Sequence, residues 1–465
     1  MKRIALVFSS LALILVSASC EKFLDVKPDG SLTTEEAIVN TDSLQMFLNG
    51  AYSSIGDFAN GNFQTFNELL SDNLARPISN LDYREIYSFN TLFFNGTIGG
   101  TYGNMYRAAM RANFVIENFD LATDLTEADR TRMEAEARFI RALAHFEIVR
   151  LFAQPWGYTP DNSHDGIMIR TTVDFEIAAR NSVREVYEDL IIPDLIFAKE
   201  NLPQSNGNYA TSFAAQAVLA KVYFQQNRLG DAAAEAAPVI QAFPFDTSAA
   251  GLDRFVFGDT STVQSEFIFR VVSTSINNTV DNRGGAFTGN YRSDNNPNPE
   301  LRTDRTFLNP YSANADDRRV LQFFQIRNDG APNEFVAVSK FDRDFVSVPL
   351  IHTTSMKLMY AECIAGTDPA AAAEHVNDIR RRAYGTNAYD IPSSSSPSEI
   401  RTAIEFERRI ELFAEGERIQ WIKRRGALGE QREVRNAPWD CDGMILQFPI
   451  SEQTDQFELN PTGGC

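Results

Sequence analysis

Apolar residues recur at three- and four-residue spacing along much of this chain. Ala137, Ile140, Ala144, Ile148 and Leu151 share one face of a helix predicted over about 127–153. The same rhythm predicts helices over about 102–121, 181–201, 212–227, 229–242, 352–365, 369–385 and 398–425. Between Ala214–Phe224 and Ala232, the run Arg228-Leu229-Gly230-Asp231 reads as a tight polar turn. Two Ala-rich amphipathic helices joined this way form one helix–turn–helix unit. Several such units predict an all-α fold of tetratricopeptide-like repeats. Thr33 and Glu36 have capping-box spacing and predict a helix running to about Tyr52.

The rhythm lapses twice. Residues 57–101 are rich in Asn, Gly and aromatics and read as a loop-rich insertion. Over 244–350 Asn, Asp, Gly, Pro and Thr rise, with Phe267-Ile268-Phe269-Arg270-Val271-Val272 the one strand-like run. A long non-periodic stretch in a compact body is usually functional or locally folded. Pro392–Pro397 reads as a linker, and residues 436–465 as an irregular tail.

The first apolar run differs from the rest. Lys2 and Arg3 precede the uncharged stretch Ile4–Val16, which is too short to span a bilayer as a helix and fits a secretory h-region. Ser17-Ala18-Ser19-Cys20 then resembles a lipoprotein cleavage site, so residues 1–19 are expected to be removed and Cys20 lipidated. The expected mature body is a single unit, 20–465: N-terminal repeats over 20–243, the loop-rich insertion over 244–350, and C-terminal helices and tail over 351–465.

Composition narrows the function classes. The 465 residues include 43 Lys+Arg against 62 Asp+Glu, a net charge of −19. That argues against a general nucleic-acid binder and against electrostatic adhesion to anionic lipid. The four histidines, His145, His164, His352 and His375, form no H-E-x-x-H motif. Gly96, Gly99, Gly100 and Gly103 read as a glycine-rich loop, yet match neither a Walker A nor a dinucleotide spacing. There is no G-x-S-x-G elbow and no C-x-x-C pair. Glu407, Glu411 and Glu415 repeat every four residues and are expected to share a helix face. Arg408, Arg409 and Arg418 nearby give them a structural, i,i+4 pairing role rather than a glycosidase one. His145 is expected to be a hydrogen-bonded core residue and Cys363 an inert buried thiol. In an exported protein, Cys441 and Cys465 are candidates to pair and staple the tail. No catalytic residue, cofactor or metal site is expected.

A series of ordered motifs resembles the SusD/RagB family of Bacteroidetes outer-membrane nutrient-binding lipoproteins. The series opens with Phe23-Leu24-Asp25 and Pro28 after Cys20, then Ala135–Phe146, Leu151–Gly157, Val183–Tyr187 with Asp194-Leu195, and Ala214–Tyr223. It continues through Met359–Glu362, Asn377–Ala383 and Glu407–Arg418, and ends with Phe448–Ser451 and Asn460-Pro461. His352, Gln420-Trp421, Arg425 and the ending Pro461–Cys465 depart from the family pattern. The resemblance implies four helix pairs with a loop-rich ligand face, and no catalysis. It further implies a cell-surface protein that captures oligosaccharide and delivers it to a SusC-like TonB-dependent transporter. A peptide ligand, a glycoside hydrolase with a helical body and a pure interaction scaffold are the alternatives.

Sugars stack their C–H faces on flat rings and take fixed hydrogen bonds from polar groups. Two segments carry that mixture: 63–102, with Asp72, Asn73, Tyr83, Arg84, Phe93, Phe94, Asn95 and Tyr102, and 276–311, with Phe287, Tyr291, Arg292 and Tyr311. The ligand-binding candidates are Asp72, Asn73, Arg84, Phe93, Asn95, Tyr102, Phe287, Tyr291 and Arg292. Alanine at Tyr291 or Phe93 is expected to weaken binding at nearly unchanged melting temperature.

Overall fold

The structure is a computed structural model that describes residues 32–174, 177–255, 265–272, 286–313, 316–343 and 346–465. The signal segment and Cys20 lie outside the described residues. Thr33 forms the capping box with Glu36, but α1 is only Thr34–Ala37. A second cap at Asn40 starts α2, Thr41–Ala59, so the helix expected from Thr33 is broken at residues 38–40. Then come α3 (Asn62–Leu70), α4 (Leu81–Tyr87), α5 (Gly96–Glu117) and α6 (Glu127–Phe152). Residues 183–201 form one helical stretch, α7, which is α at Val183–Glu185, π at Val186–Ile191 and α again at Ile192–Asn201. Next are α8 (Ser212–Gln225) and α9 (Leu229–Ala242). Later come α10 (Arg305–Ser312), α11 (Arg318–Phe323), α12 (Thr353–Ile364), α13 (Pro369–Tyr384), α14 (Pro397–Glu411) and α15 (Arg418–Ala427).

The long helices stack in series: α2 on α5, α5 on α6, α6 on α7, α7 on α8, α8 on α9, α9 on α12 and α12 on α13. Among the described residues these stacked helices make the tetratricopeptide-like all-α arrangement, with α14 packed on α12 and α13 at its end. The apolar stripe predicted on α6 is buried throughout. Among the described residues, three two-stranded antiparallel ribbons decorate the stack. Phe267–Val271 (β1) pairs with Val348–His352 (β4), and Phe324–Arg327 (β2) pairs with Phe335–Val338 (β3). Glu433–Val434 and Ala437–Pro438 make the third.

Two predicted loops are helical. Within 57–101, α3 buries almost every side chain. The glycines 96, 99, 100 and 103 lie on α5 and not on a loop. Conversely, the helix predicted over 398–425 stops at Glu411 and restarts at Arg418. Ala414 and Gly416 adopt left-handed backbone conformations, and Gly416 packs where a Cβ would come within 2.9 Å of Gln64 Cα.

That break redirects the three glutamates. Glu415 leaves the helix face, and none of the three pairs along it. Glu411, fully buried, accepts from Arg254 (3.0 Å), Arg319 (3.3 Å) and Arg382 (3.3 Å). Glu407 takes Arg319 (2.6 Å) and Arg380 (2.8 Å), and Glu415 takes Lys340 (2.6 Å) and His352 (2.7 Å). The role is structural as expected, but the partners come from the 244–350 region, His352 and α13, so the cluster bolts that region to the helical stack. His145 is a buried, neutral core histidine: Nδ1 donates to Arg141 O (2.8 Å) and Nε2 accepts from Arg170 N–H (3.2 Å). Burial pushes the Cys363 thiol up to about 12.

Candidate functional site

The two flagged segments are sewn into one face. Ala75 N–H donates to Arg302 O (2.9 Å), and Thr303 Oγ1 donates to Asn73 O (2.6 Å). Glu300 accepts from the backbone of Ser79 and Asn80 (both 2.8 Å), and Asn290 Nδ2 donates to Tyr83 Oη (3.0 Å). Burial pushes the Glu300 carboxyl up, but these donors and the charge of Arg84 outweigh it and hold it below its usual value.

Most of the candidate residues build this face from beneath. Tyr102, Phe287 and Tyr291 are buried, which corrects their assignment as ligand platforms. Tyr102 packs edge-on against Tyr106, Phe152 and Phe448. Phe287 stacks on Phe341 at 4.5 Å, with Tyr291 5.4 Å from the same ring. Gly61, at φ +116°, makes room for them, since a Cβ there would meet Phe287 N at 2.7 Å. Asn73 is buried between Glu68 (2.8 Å) and Arg409 (3.0 Å). Asn95 caps α5 through Ile98 N–H (3.0 Å) and donates to Glu85 (2.9 Å). Their side chains are therefore committed to the fold. Asp72 is likewise engaged, by Arg418 (2.7 and 2.9 Å). Burial raises its pKa, but Arg418 and Arg409 more than reverse that and hold it low. Arg292 is paired with Asp294 (2.9 Å).

Arg84 and Phe93 remain at the surface, both half-buried. Arg84 donates through Nε to Pro77 O (3.0 Å). Phe93 sits against Phe94, ring centroids 4.3 Å apart, and Phe94 is 74% exposed. Leu81 (70%) and Leu92 (43%) are exposed on the same α4 and post-α4 segments. Phe94, Leu81 and Leu92 are thus large apolar side chains left in water within one short stretch of chain. Arg84 lies on α4 itself, and Arg76 is exposed a few residues earlier.

The aromatic pair is held firmly. Glu85 accepts from Leu92 N–H (3.3 Å), and Asp82 caps the incoming helix at Thr97 N–H (2.9 Å). From below, the C-terminal tail supports the segment: Gln447 N–H donates to Thr91 Oγ1 (2.9 Å) and Ile450 N–H donates to Phe93 O (3.1 Å). Cys441 and Cys465 are joined in a disulfide, Cα atoms 5.6 Å apart. Gly443 and Gly464, next to that ring closure, press on the Phe89 carbonyl. Preorganised aromatic groups lose little entropy on binding, which suits a ligand platform. Among the described residues no group of three or more His, Cys, Asp or Glu is arranged to hold a metal, and no helix is long and apolar enough to cross a membrane.

Phe94 lies within the first of the two aromatic segments but is not among the ligand-binding candidates. Leu81 and Leu92 carried no signal beyond apolarity between polar neighbours.

Residues 22–224 match a family model described as "starch-binding associating with outer membrane", and residues 338–443 match that of the SusD family. A SusD-like protein of Bacteroides ovatus is 28% identical over 230 residues, 49% of this chain and 40% of that protein. The chain thus matches about two fifths of the length of the curated relatives. Among solved structures, a SusD superfamily protein of Bacteroides thetaiotaomicron superposes with a TM-score of 0.78 at 20% identity, covering 91% of this chain and 100% of the other. A laminarin-binding SusD-like protein superposes with a TM-score of 0.69 at 19% identity, covering 91% and 99%.

Proposed function

We propose, from the premise that this chain belongs to the SusD/RagB family, that it captures oligosaccharide at the cell surface and hands it to a SusC-like TonB-dependent transporter. In this reading Cys20 carries the lipid that anchors the chain to the outer membrane, after removal of residues 1–19. Capture proceeds without turnover, and the mature body works as one unit.

The observation that carries the reading is the Phe93–Phe94 pair, with Phe94 held out of the fold and Glu85 bonded to the neighbouring Leu92 and Asn95. A flat apolar ring takes the C–H face of a pyranose, and the flanking charged groups take its hydroxyls. Phe offers no hydrogen bond of its own, so orientation falls to the polar groups. The net charge of −19 favours a neutral glycan over an acidic one.

The test is a glycan array probed with the mature protein, including laminarin because a structural neighbour binds it. Retention of a neutral glycan, returned unhydrolysed, supports the proposal. Hydrolysis of the retained glycan, or no retention of any glycan with retention of peptides, would refute it.

A further inference from the structure

Buried carboxylates in this protein keep an arginine beside them. Glu136 pairs with Arg132, Asp194 with Arg141, Glu266 with Arg382 and Glu411 with Arg254. Glu147, Asp317, Glu362 and Glu407 do the same. Among the described residues Glu68 is the exception. Its side chain on α3 is fully buried, and the groups bonded to it are all uncharged. Asn73 Nδ2 donates to Oε2 (2.8 Å) and the Gly416 N–H donates to Oε1 (3.2 Å). Ser71 Oγ stands 3.4 Å from Oε2 and gives its own hydrogen to Glu68 O (2.8 Å), so it can accept from a protonated Oε2. The neutral acid is therefore fully satisfied where it lies.

These partners belong to separate pieces of the fold. Asn73 is part of the seam that joins the two halves of the candidate face. Its carbonyl accepts from Thr303 Oγ1 (2.6 Å), its Oδ1 accepts from Arg409 Nε (3.0 Å), and the nearby Ala75 N–H donates to Arg302 O (2.9 Å). Gly416, at φ +82°, sits in the break between α14 and α15. The other ionisable groups facing Glu68 do not neutralise it. Lys340 directs its ammonium to Glu411 O (3.1 Å), Phe413 O (3.0 Å) and Glu415 (2.6 Å), and acts on Glu68 only at a distance. Asp72 is held by Arg418, and the Tyr291 hydroxyl is pushed up by burial and by the Glu68 charge. Burial pushes Glu68 up to about 7, with Asp72 adding to it and Asn73, the Gly416 amide and Lys340 opposing it. A buried carboxylate without a counter-ion is stable only when it is neutral or hydrated.

We propose that Glu68 is a proton-operated latch. Protonated, it holds segment 71–75 and the Gly416 turn against α3. Ionised, it draws water in, and the seam between 71–75 and 300–303 slackens. The closed form holds the proton more tightly than the opened form does. Closure is therefore full below pH 4.5 and is lost as pH rises to about 7. The latch acts on the candidate face whatever ligand that face takes.

The test is amide hydrogen exchange of the mature protein from about pH 5 to 8, corrected for intrinsic rates, in wild type and Glu68→Gln. In wild type, protection of the Ala75 and Gly416 amides should fall by up to about tenfold per pH unit between pH 5 and 7 and level off above. Amides of α8, which the latch does not touch, should keep theirs. Glu68→Gln has no proton to lose there and should show no pH dependence at either amide. Carbon-13 titration of the wild-type glutamate carboxyls, which needs no variant, should contain an inflection near pH 7. Protection that is flat in wild type, or that falls equally in Glu68→Gln, overturns the latch. A fall shared by α8 reports global opening and overturns it too, as does a carboxyl titration with no inflection above about pH 6.

Discussion

Glu411→Gln removes the hub of the buried charge cluster while keeping its shape. In the native protein this carboxylate meets Arg254, Arg319 and Arg382, all fully buried. Burial pushes its pKa up, but the three guanidinium groups overcompensate and hold it at about 2. Against its ordinary 4.5, at about 1.4 kcal/mol per pH unit, that gap corresponds to about 3 kcal/mol. The sign follows from a depressed acid: the contribution is full above pH 4.5 and is lost as pH falls towards 2. Removing one partner from a buried ion pair independently predicts a loss of about 3–5 kcal/mol, because the remaining charges stay buried without their counter-ion. Urea denaturation at pH 7, monitored by far-ultraviolet circular dichroism, should show Glu411→Gln destabilised by that amount. Asp120→Asn, at an exposed ion pair with Arg130, should cost less than about 1 kcal/mol. Equal, small effects at both sites would refute the claim that the cluster bolts the 244–350 region to the helices.

Tyr291→Ala should lower stability by about 3–5 kcal/mol in the same denaturation assay, since the ring is fully buried; an unchanged midpoint would restore its role as a surface platform. Replacing Cys441 and Cys465 with Ser should cost about 3–4 kcal/mol by loop-closure entropy for a separation of 24 residues, read as a lower melting temperature; an unchanged value would show that packing alone holds the tail. Burial, with the charges of Arg141 and Arg170 adding to it, pushes His145 down to about 4, so its contribution is full above pH 6.5 and is lost as pH falls to about 4. The wild-type loss over that window should exceed that of His145→Gln by roughly 3 kcal/mol, and matching pH profiles would contradict the neutral core assignment.

The repeats were readable because a helix face buried against its neighbours leaves a 3.6-residue imprint. Ala137 through Leu151 show it clearly, and all five residues are buried. The helical character of residues 62–70 left no such imprint, because α3 is buried nearly all round and its Phe, Asn, Gln and Glu side chains are satisfied internally. Spacing suggested local pairing for Glu407, Glu411 and Glu415, whereas their partners Arg254, Arg319, Arg382 and Lys340 are far away in sequence. Gly416 signalled the break between α14 and α15, but its close approach to Gln64 could be known only from the fold.

The candidate site was legible as a region and not as residues. An aromatic in an Asn- and Gly-rich segment can pack inward or stand outward, and composition does not separate the two. Phe287 and Tyr291 turn in towards Phe341, while Phe94, adjacent to a helix cap, turns out. Glycine disfavours helices, so the spacing of Gly96, Gly99, Gly100 and Gly103 alone does not reveal that they lie on α5.

The most direct test of the account is calorimetric titration of the array-selected glycan into wild type and Phe94→Ala. With 74% of its surface in water, Phe94 contributes little to the fold, so the two melting temperatures should agree closely. Loss of one stacking ring should weaken affinity by about tenfold or more. Equal affinities in the two proteins would contradict the assignment of the Phe93–Phe94 pair as the capture platform.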